Sequence, residues 1–323
     1  MPLLEVKDLF INFNTYRGVV KALDGISFNI NRSESVGIVG ETGCGKSVTA
    51  RAIMGFIEPP GEIINGQILL GGTNLLNLGE KKMTSIRGSQ ISFIFQEAKK
   101  ALDPTSKIGD QLIEAAIFGR GITENEAIQL ASKTLEQVGL ADTKRLLKSY
   151  SFELSGGMAQ RVMIAIAIVG GSQLLIADEP TSALDVSIQA QILHLLRTIR
   201  KTQSSSLLLI THDLGVAAEN CDRILVMYAG RVVEAGLVKD IYSSPSHPYT
   251  VKLLNALPTS KQKRLEAIRG MVPDLIEPPV GCRFANRCDF AKEICSTRPK
   301  MKEIASEQLV ACHFPRSEKV HMA

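Results

Sequence analysis

An α/β domain with a largely parallel sheet, followed by a small tail of different composition, is the fold that the 323-residue sequence predicts. Three observations carry that reading. Short, branched apolar runs alternate with helical patterns through residues 1–257. A glycine-rich turn joins one of these runs to the helix after it. Cysteine and proline then become concentrated in residues 258–323, which hold four of the six cysteines and six of the thirteen prolines. Apolar runs bounded by turn residues favour buried strands, and strands alternating with helices build a mainly parallel sheet.

In chain order, Ser35–Val39 is a strand and Val48–Ile57 the helix that continues from it. Ile91–Phe95, Leu174–Ala177, Leu207–Ile210 and Ile224–Met227 are further strands by length and branched content. Residues 98–160 show only helical patterns, Glu124–Val138 among them, and predict a helical insert within the α/β core. Val186–Lys201 keeps a helical period through Ile188, Ile192, Leu195, Leu196 and Ile199. The shift in composition divides the chain into a domain over 1–257 and an extension over 258–323. No tandem repeat or low-complexity tract is seen.

Composition excludes several classes. With 45% hydrophobic and 22% charged residues the chain is globular. The longest apolar run, Val162–Val169, falls far short of the ~20 residues of a membrane-spanning helix. The start, MPLLEVKDLF, lacks a basic stretch followed by an apolar one, so no secretory signal is expected and the cytosol is the default. The net charge of +4 is too small to suggest nucleic-acid binding. All of it lies in the tail: residues 1–257 hold 25 basic and 25 acidic residues, and 258–323 hold 12 and 8.

Gly40-Glu-Thr-Gly-Cys-Gly-Lys46-Ser47 matches the phosphate-loop pattern G-x-x-x-x-G-K-[ST], after a strand and before a helix. Gly43 and Gly45 let the backbone wrap a polyphosphate with its N–H groups inward, and the helix adds its positive end. Lys46 is placed to reach the terminal phosphates, and Ser47 to offer its hydroxyl to Mg²⁺. Cys44, at a variable position, is read as a bystander. The strand Leu174–Ala177 runs into Asp178-Glu179, at the sheet edge where α/β proteins bind ligands. Asp178 suits the Mg²⁺ shell, and Glu179, aimed differently, suits the attacking water. Alone, such a pair is more often a solvated acidic turn; downstream of a phosphate loop the catalytic reading gains weight.

Leu154-Ser-Gly-Gly-Met-Ala-Gln160-Arg161 puts a serine and two glycines at a helix N-terminus, a second anion site. With this segment the sequence resembles the ABC-transporter ATPases, and it looks like their signature motif, though with Met158 where many relatives have glutamine. The other elements match in order: Gln96 looks like the Q-loop, Ser182-Ala-Leu-Asp185 the D-loop, and His212 the switch histidine. The resemblance implies a P-loop NTPase core of ABC type with a helical subdomain. It also implies nucleotide contacts from Thr42, Gly43, Cys44, Gly45, Lys46, Ser47 and Val48, and from Ser155, Gly156, Gly157 and Asp185. Glu179, His212 and Gln96 become the catalytic set, and Ser47, Gln96 and Asp178 the Mg²⁺ set. Phe13 matches the adenine-stacking aromatic by position, with Tyr16 close enough to substitute.

Ser246-His-Pro-Tyr-Thr-Val-Lys-Leu-Leu254, Ile268-Arg-Gly-Met-Val-Pro273 and Pro279-Val-Gly-Cys-Arg-Phe-Ala-Asn-Arg-Cys288 resemble the C-terminal extension of dipeptide/oligopeptide-type ABC importer ATPases. The resemblance implies ATP hydrolysis coupled to import of short peptides, or of nickel or antimicrobial peptides, from the cytoplasmic face of the inner membrane. It implies two membrane permease subunits, a second homologous ATPase subunit forming a heterodimer, and an extracytoplasmic peptide-binding protein. Rival readings are an ABC ATPase working without a transporter, and a metal or redox sensor on an ATPase scaffold. The tail thiols Cys282, Cys288, Cys295 and Cys312, spaced C-x₅-C-x₆-C-x₁₆-C, suggest an iron–sulfur cluster, [4Fe–4S], with Arg283, Arg287 and Lys292 offsetting its charge. Zn²⁺ is the alternative, with His313 as a substitute ligand. A bound metal would supply folding energy that so short a segment lacks.

Overall fold

The computed structural model describes residues 1–182, 184–256 and 268–316. The expected boundary between residues 257 and 258 lies outside the described residues, as does Ala183 of the D-loop segment. In chain order the strands are β1 (Leu4–Thr15), β2 (Gly18–Ile30), β3 (Ser35–Val39), β4 (Gly61–Leu70), β5 (Thr73–Asn74), β6 (Ile91–Ile94), β7 (Leu174–Asp178), β8 (Ser206–Thr211), β9 (Arg223–Tyr228), β10 (Arg231–Leu237), β11 (Lys302–Ala305) and β12 (Gln308–Val310). The chain forms two compact units. One comprises Met1–Leu3, Ile30–Glu34 and Leu75–Ile210; the other comprises Leu4–Asn29, Ser35–Asn74 and Thr211–Ala323.

In the first unit, β6, β7 and β8 pair in parallel, with Ile91 opposite Leu174 and Leu174 opposite Ser206. Every residue of the three strands is buried, which is why their sequences read as unbroken apolar runs rather than alternating ones. The expected helical insert holds helices at Ile108–Arg120, Glu124–Gln137 and Gly156–Val169, packed on one another through residues such as Leu112, Ala131 and Val162. Thr123 and Glu126 cap the second of these reciprocally, which fixes its start. Asp185 caps the helix Val186–Gln203 by accepting from the Ile188 N–H at 3.0 Å.

The second unit holds two sheets. β2, β1, β4 and β5 form an antiparallel sheet in that order. β3 lies parallel to β9, β9 antiparallel to β10, β10 to β12, and β12 to β11. The β3–β9 register is pinned at its start, where the Asp222 carboxylate accepts from the Ser35 N–H at 2.8 Å and hydroxyl at 2.7 Å. After β3 the chain turns into the helix Lys46–Ile53. It is shorter than the Val48–Ile57 expected, because the Gly55 and Phe56 N–H groups fold back on the carbonyls of Ala52 and Arg51 and close it.

The tail residues 268–316 belong to the same unit as β3, and they need no core of their own. Phe284 is 1% exposed and packs among Tyr228 and Tyr249, while β12 extends the sheet beside β10. Among the described residues no helix is long and apolar enough to cross a membrane.

Candidate functional site

The phosphate loop is built by its glycines and the ends of two regular elements. A Cβ on Gly40 would lie 2.2 Å from the Met227 carbonyl oxygen, and one on Gly45 would lie 2.9 Å from that of Ala22. Both glycines also have positive φ, 155° and 106°, so side chains are excluded twice over. Lys46 is 5% exposed, and its Nζ donates to the carbonyls of Gly40 at 2.8 Å and Glu41 at 3.2 Å. The cation is therefore held over the loop it serves. Thr42 and Gly43 are exposed at the rim, Ser47 and Val48 half-buried on the first turn of the helix. The Cys44 side chain is buried and its thiol is pushed up to about 11 by that burial. It is neutral and turned inward, which leaves its backbone as the part that can meet a nucleotide.

Two contacts on Glu41 could not be read from the sequence. The carboxylate accepts a two-pronged pair from Arg287 of the tail, at 2.8 and 3.1 Å. Its N–H donates to the Tyr249 hydroxyl at 3.0 Å. Arg287 was expected to offset cluster charge, as were Arg283 and Lys292. Instead Arg283 donates to Asp24, together with Arg231 and Arg298, and the Lys292 ammonium sits over the Phe314 ring.

Phe13 lies half-buried in β1 opposite Gly61, where a Cβ would meet its ring at 2.7 Å. Tyr16, at the β1–β2 turn, is 98% exposed. Of the two aromatics, Tyr16 has the free face that stacking on a base requires. His212 is exposed in the same unit, between Thr211 and Asp213; Asp213 starts the next helix by accepting from Val216.

The first unit holds the acidic pair. Asp178, at the end of β7, is 4% exposed, whereas Glu179, the first residue beyond the strand, is half-buried. Glu179 has φ of 45°, rare for a side-chain-bearing residue, and its N–H donates to the Ile210 carbonyl at 2.9 Å. A strained backbone held by its neighbours is common where a side chain must be aimed for chemistry. The Gln96 amide donates to the Glu179 carboxylate at 3.4 Å, so two of the three expected catalytic side chains meet. Ser155 caps the helix Gly156–Val169, accepting from the Met158 N–H at 3.3 Å. Ser155 and Gly156 are exposed and Gly157 half-buried, leaving that helix start open. Asp185 is exposed, and the Ile188 N–H and then Ser187 hold its carboxyl below the usual range.

The tail thiols Cys282, Cys288, Cys295 and Cys312 line one small cavity of about 10 Å³, together with His247 and His313. That volume holds a single water at most. Among the described residues no group of three or more His, Cys, Asp or Glu side chains is placed to hold a metal ion. The expected cluster and its zinc alternative therefore find their four thiols gathered but no ligand cage formed around them. The expected role of a metal in supplying folding energy is also weakened, since the tail packs into the core of its unit through Phe284.

Comparison with known proteins places the whole chain. Residues 23–182 match the ABC transporter family, and residues 233–295 match the oligopeptide/dipeptide transporter C-terminal region. An oligopeptide transport ATP-binding protein, OppD of Salmonella typhimurium, is 42% identical, covering 98% of this chain and 95% of that one. OppD of Bacillus subtilis is 47% identical, covering 99% and 89%. The dipeptide transport ATP-binding protein DppD of Lactococcus lactis is 46% identical, covering 90% and 84%. Among solved structures, the dimeric post-hydrolysis state of the ATP-binding cassette MJ0796 with ADP and Pi matches with a TM-score of 0.65 at 26% identity. It covers 73% of this chain and 98% of the cassette. The chain belongs to the ATP-binding proteins of ABC transporters, in the family that carries the oligopeptide/dipeptide transporter C-terminal region.

Proposed function

We infer that this chain is the ATP-hydrolysing subunit of an importer of short peptides. Sequence identity of 42–47% to oligopeptide and dipeptide transport ATP-binding proteins, over nearly the whole chain and including the tail, carries this reading. The phosphate loop offers main-chain N–H groups, the Lys46 cation and the Ser47 hydroxyl, and Tyr16 offers a face for adenine. Asp178 is taken as a ligand for Mg²⁺ with Gln96, and Glu179 as the base. Magnesium, when bound, neutralises charge on the phosphates. Glu179 takes a proton from the attacking water as its oxygen forms a bond to the γ-phosphorus and the bond to the ADP oxygen breaks. His212 is placed in the catalytic set as the switch residue. The open helix start at Ser155–Gly157 closes on the nucleotide of a second, homologous ATPase subunit, with Asp185 beside it.

The assembly is a heterodimer of ATPase subunits on two membrane permeases, bound peripherally at the cytoplasmic face of the inner membrane and fed by an extracytoplasmic peptide-binding protein. The test is copurification followed by ATPase assay in proteoliposomes. Two polytopic membrane proteins should accompany the chain, and peptide with its binding protein should stimulate turnover. Glu179→Gln should bind MgATP normally yet slow hydrolysis by ~10²-fold or more, the scale of a lost general base. Unchanged turnover would move the base elsewhere.

The tail is proposed to take a [4Fe–4S] cluster on Cys282, Cys288, Cys295 and Cys312. Support comes from four thiols on one cavity and from their mutual effect: the Cys312 thiol is pushed up to about 11, first by burial and then by Cys282, Cys288 and Cys295. A metal cation would reverse that mutual cost, since thiolates rather than thiols ligate. Loading requires the cavity to open. Anaerobically purified protein should be brown and hold about four irons per chain; one zinc in a colourless preparation would replace the cluster, and no metal would dismiss both.

A further inference from the structure

The second residue of the phosphate loop is held by the C-terminal part of the chain rather than by the loop itself. The Glu41 N–H donates to the Tyr249 hydroxyl, and both carboxylate oxygens take the Arg287 guanidinium. Arg287 is fixed in turn. Its remaining donors reach the Tyr228 hydroxyl at 3.2 Å and the Arg269 carbonyl at 3.0 Å. Its own carbonyl accepts from the Lys252 ammonium at 2.9 Å. The Arg287 side chain is 6% exposed and that of Glu41 25%, so the pair is shielded from solvent and salt. Such a two-pronged, charge-assisted pair fixes orientation as well as distance.

Lys46 Nζ already bonds to the carbonyls of Gly40 and Glu41. The carbonyl of Glu41 thus faces the phosphate-binding cation while its carboxylate faces the tail. Rotating Glu41 about its backbone would move both, and would tilt the N–H groups that follow.

We propose that Arg287 is a positioning residue for nucleotide: through Glu41 it holds the phosphate loop in its binding curvature, which makes MgATP affinity depend on this one pair rather than on the docking of the tail in general. This rests on the ATPase reading above. No contact between Arg287 and nucleotide is required.

The test is equilibrium binding of MgATP to the full-length chain, with the unliganded melting temperature recorded for each variant. Arg287→Met and Glu41→Gln should each weaken binding by ~10-fold, the scale of one lost charge-assisted pair. The double variant should be no worse than either alone, because both remove the same link. Arg287→Lys, which keeps the charge but not the fork, should recover only part of the affinity. Arg298→Met is the control for tail docking. It cuts another ion pair of the tail, to Asp24, without touching the loop; it should lower the melting temperature and leave MgATP affinity unchanged.

Equal losses of affinity in Arg287→Met and Arg298→Met would reduce the pair to general docking and overturn the proposal, as would additive effects of Arg287→Met and Glu41→Gln. Wild-type affinity in Arg287→Met would overturn it outright. A wild-type chain that itself bound no MgATP would instead break the ATPase reading beneath it.

Discussion

The phosphate loop and the cysteine turn of the tail lie in one compact unit and each encloses a small space, but they are built in opposite ways. The loop is shaped by main chain: glycines that admit no Cβ, a strand end, a helix start and the Gly40 and Glu41 carbonyls that accept from Lys46. The cysteine turn is shaped by side chains from four separated positions around about 10 Å³. A ligand-binding shape made of backbone exists before the ligand arrives. One made of converging thiols depends on what fills it, since the Phe290 and Phe314 N–H groups that reach the Cys288 and Cys312 sulfurs at 3.4 Å orient single side chains without setting the distances between them. The first is a preformed site and the second a gathering of donors.

The largest effect should come from Lys46→Ala. The loop would keep its fold yet lose the cation aimed at the terminal phosphates, and MgATP binding should fall by ~10²-fold or more. Cys312→Ser should change the same affinity by less than ~2-fold while abolishing iron loading. Binding titrations on both variants separate the regions. A Cys312→Ser variant as deficient as Lys46→Ala would mean that the two sites are not independently built.

A middle-sized effect should come from Asp24→Asn. Arg231, Arg283 and Arg298 converge on this one carboxylate, which is 16% exposed. Burial pulls its carboxyl upward, but Arg231 and then Arg283 and Arg298 outweigh that and hold it below the ordinary 3.8. Removing the charge leaves three guanidinium groups crowded together and should cost about 3 kcal/mol in urea melts near neutral pH. A carboxyl whose folded value is lowered stabilises above its unfolded value and loses that contribution as pH falls through the folded one. The gap between wild type and Asp24→Asn should therefore close below about pH 4, starting from the ordinary carboxylate value. A gap that stayed constant down to pH 3 would remove Asp24 as the anchor of the tail.

The same contrast explains what the sequence revealed. Ser35–Val39, Gly40–Ser47 and the all-buried strands β6, β7 and β8 are local patterns, and each was legible from neighbouring residues. The β1–β4 sheet was not, because Asp8 at φ 44° sits where the register shifts between Lys7 and Phe10 and breaks the period of two. The partners of the tail were hidden for a different reason. Arg287 and Glu41 are 246 residues apart, and Gln308–Val310 carries no mark of its pairing with β10. Among the expected site residues, motif and spacing singled out Gln96 and Glu179, whose side chains meet. The difference in exposure between Phe13 and Tyr16 and the pairing of Glu41 with the tail depend on tertiary contacts that no local pattern carries.

The smallest effect should come from Cys44→Ala, and it bears most directly on the comparison because Cys44 is a cysteine inside the preformed site. Its side chain is 1% exposed and its Sγ packs 2.9 Å from where a Cβ on Gly40 would stand. With its thiol held near 11 by burial, it carries no charge at neutral pH and acts as a small apolar filler. Truncating it removes one buried sulfur beneath the loop, which should cost about 1 kcal/mol of stability and change MgATP affinity by less than ~2-fold. The thiol should also resist maleimide in the folded protein because the reagent cannot reach it, while the half-buried tail thiols of metal-free protein label faster. Rapid labelling of Cys44, or a tenfold loss of affinity in Cys44→Ala, would mean that a side chain shares in the loop's grip on phosphate. The loop would then be built partly as the tail is, and the division between backbone-made and side-chain-made sites would fail within this one unit.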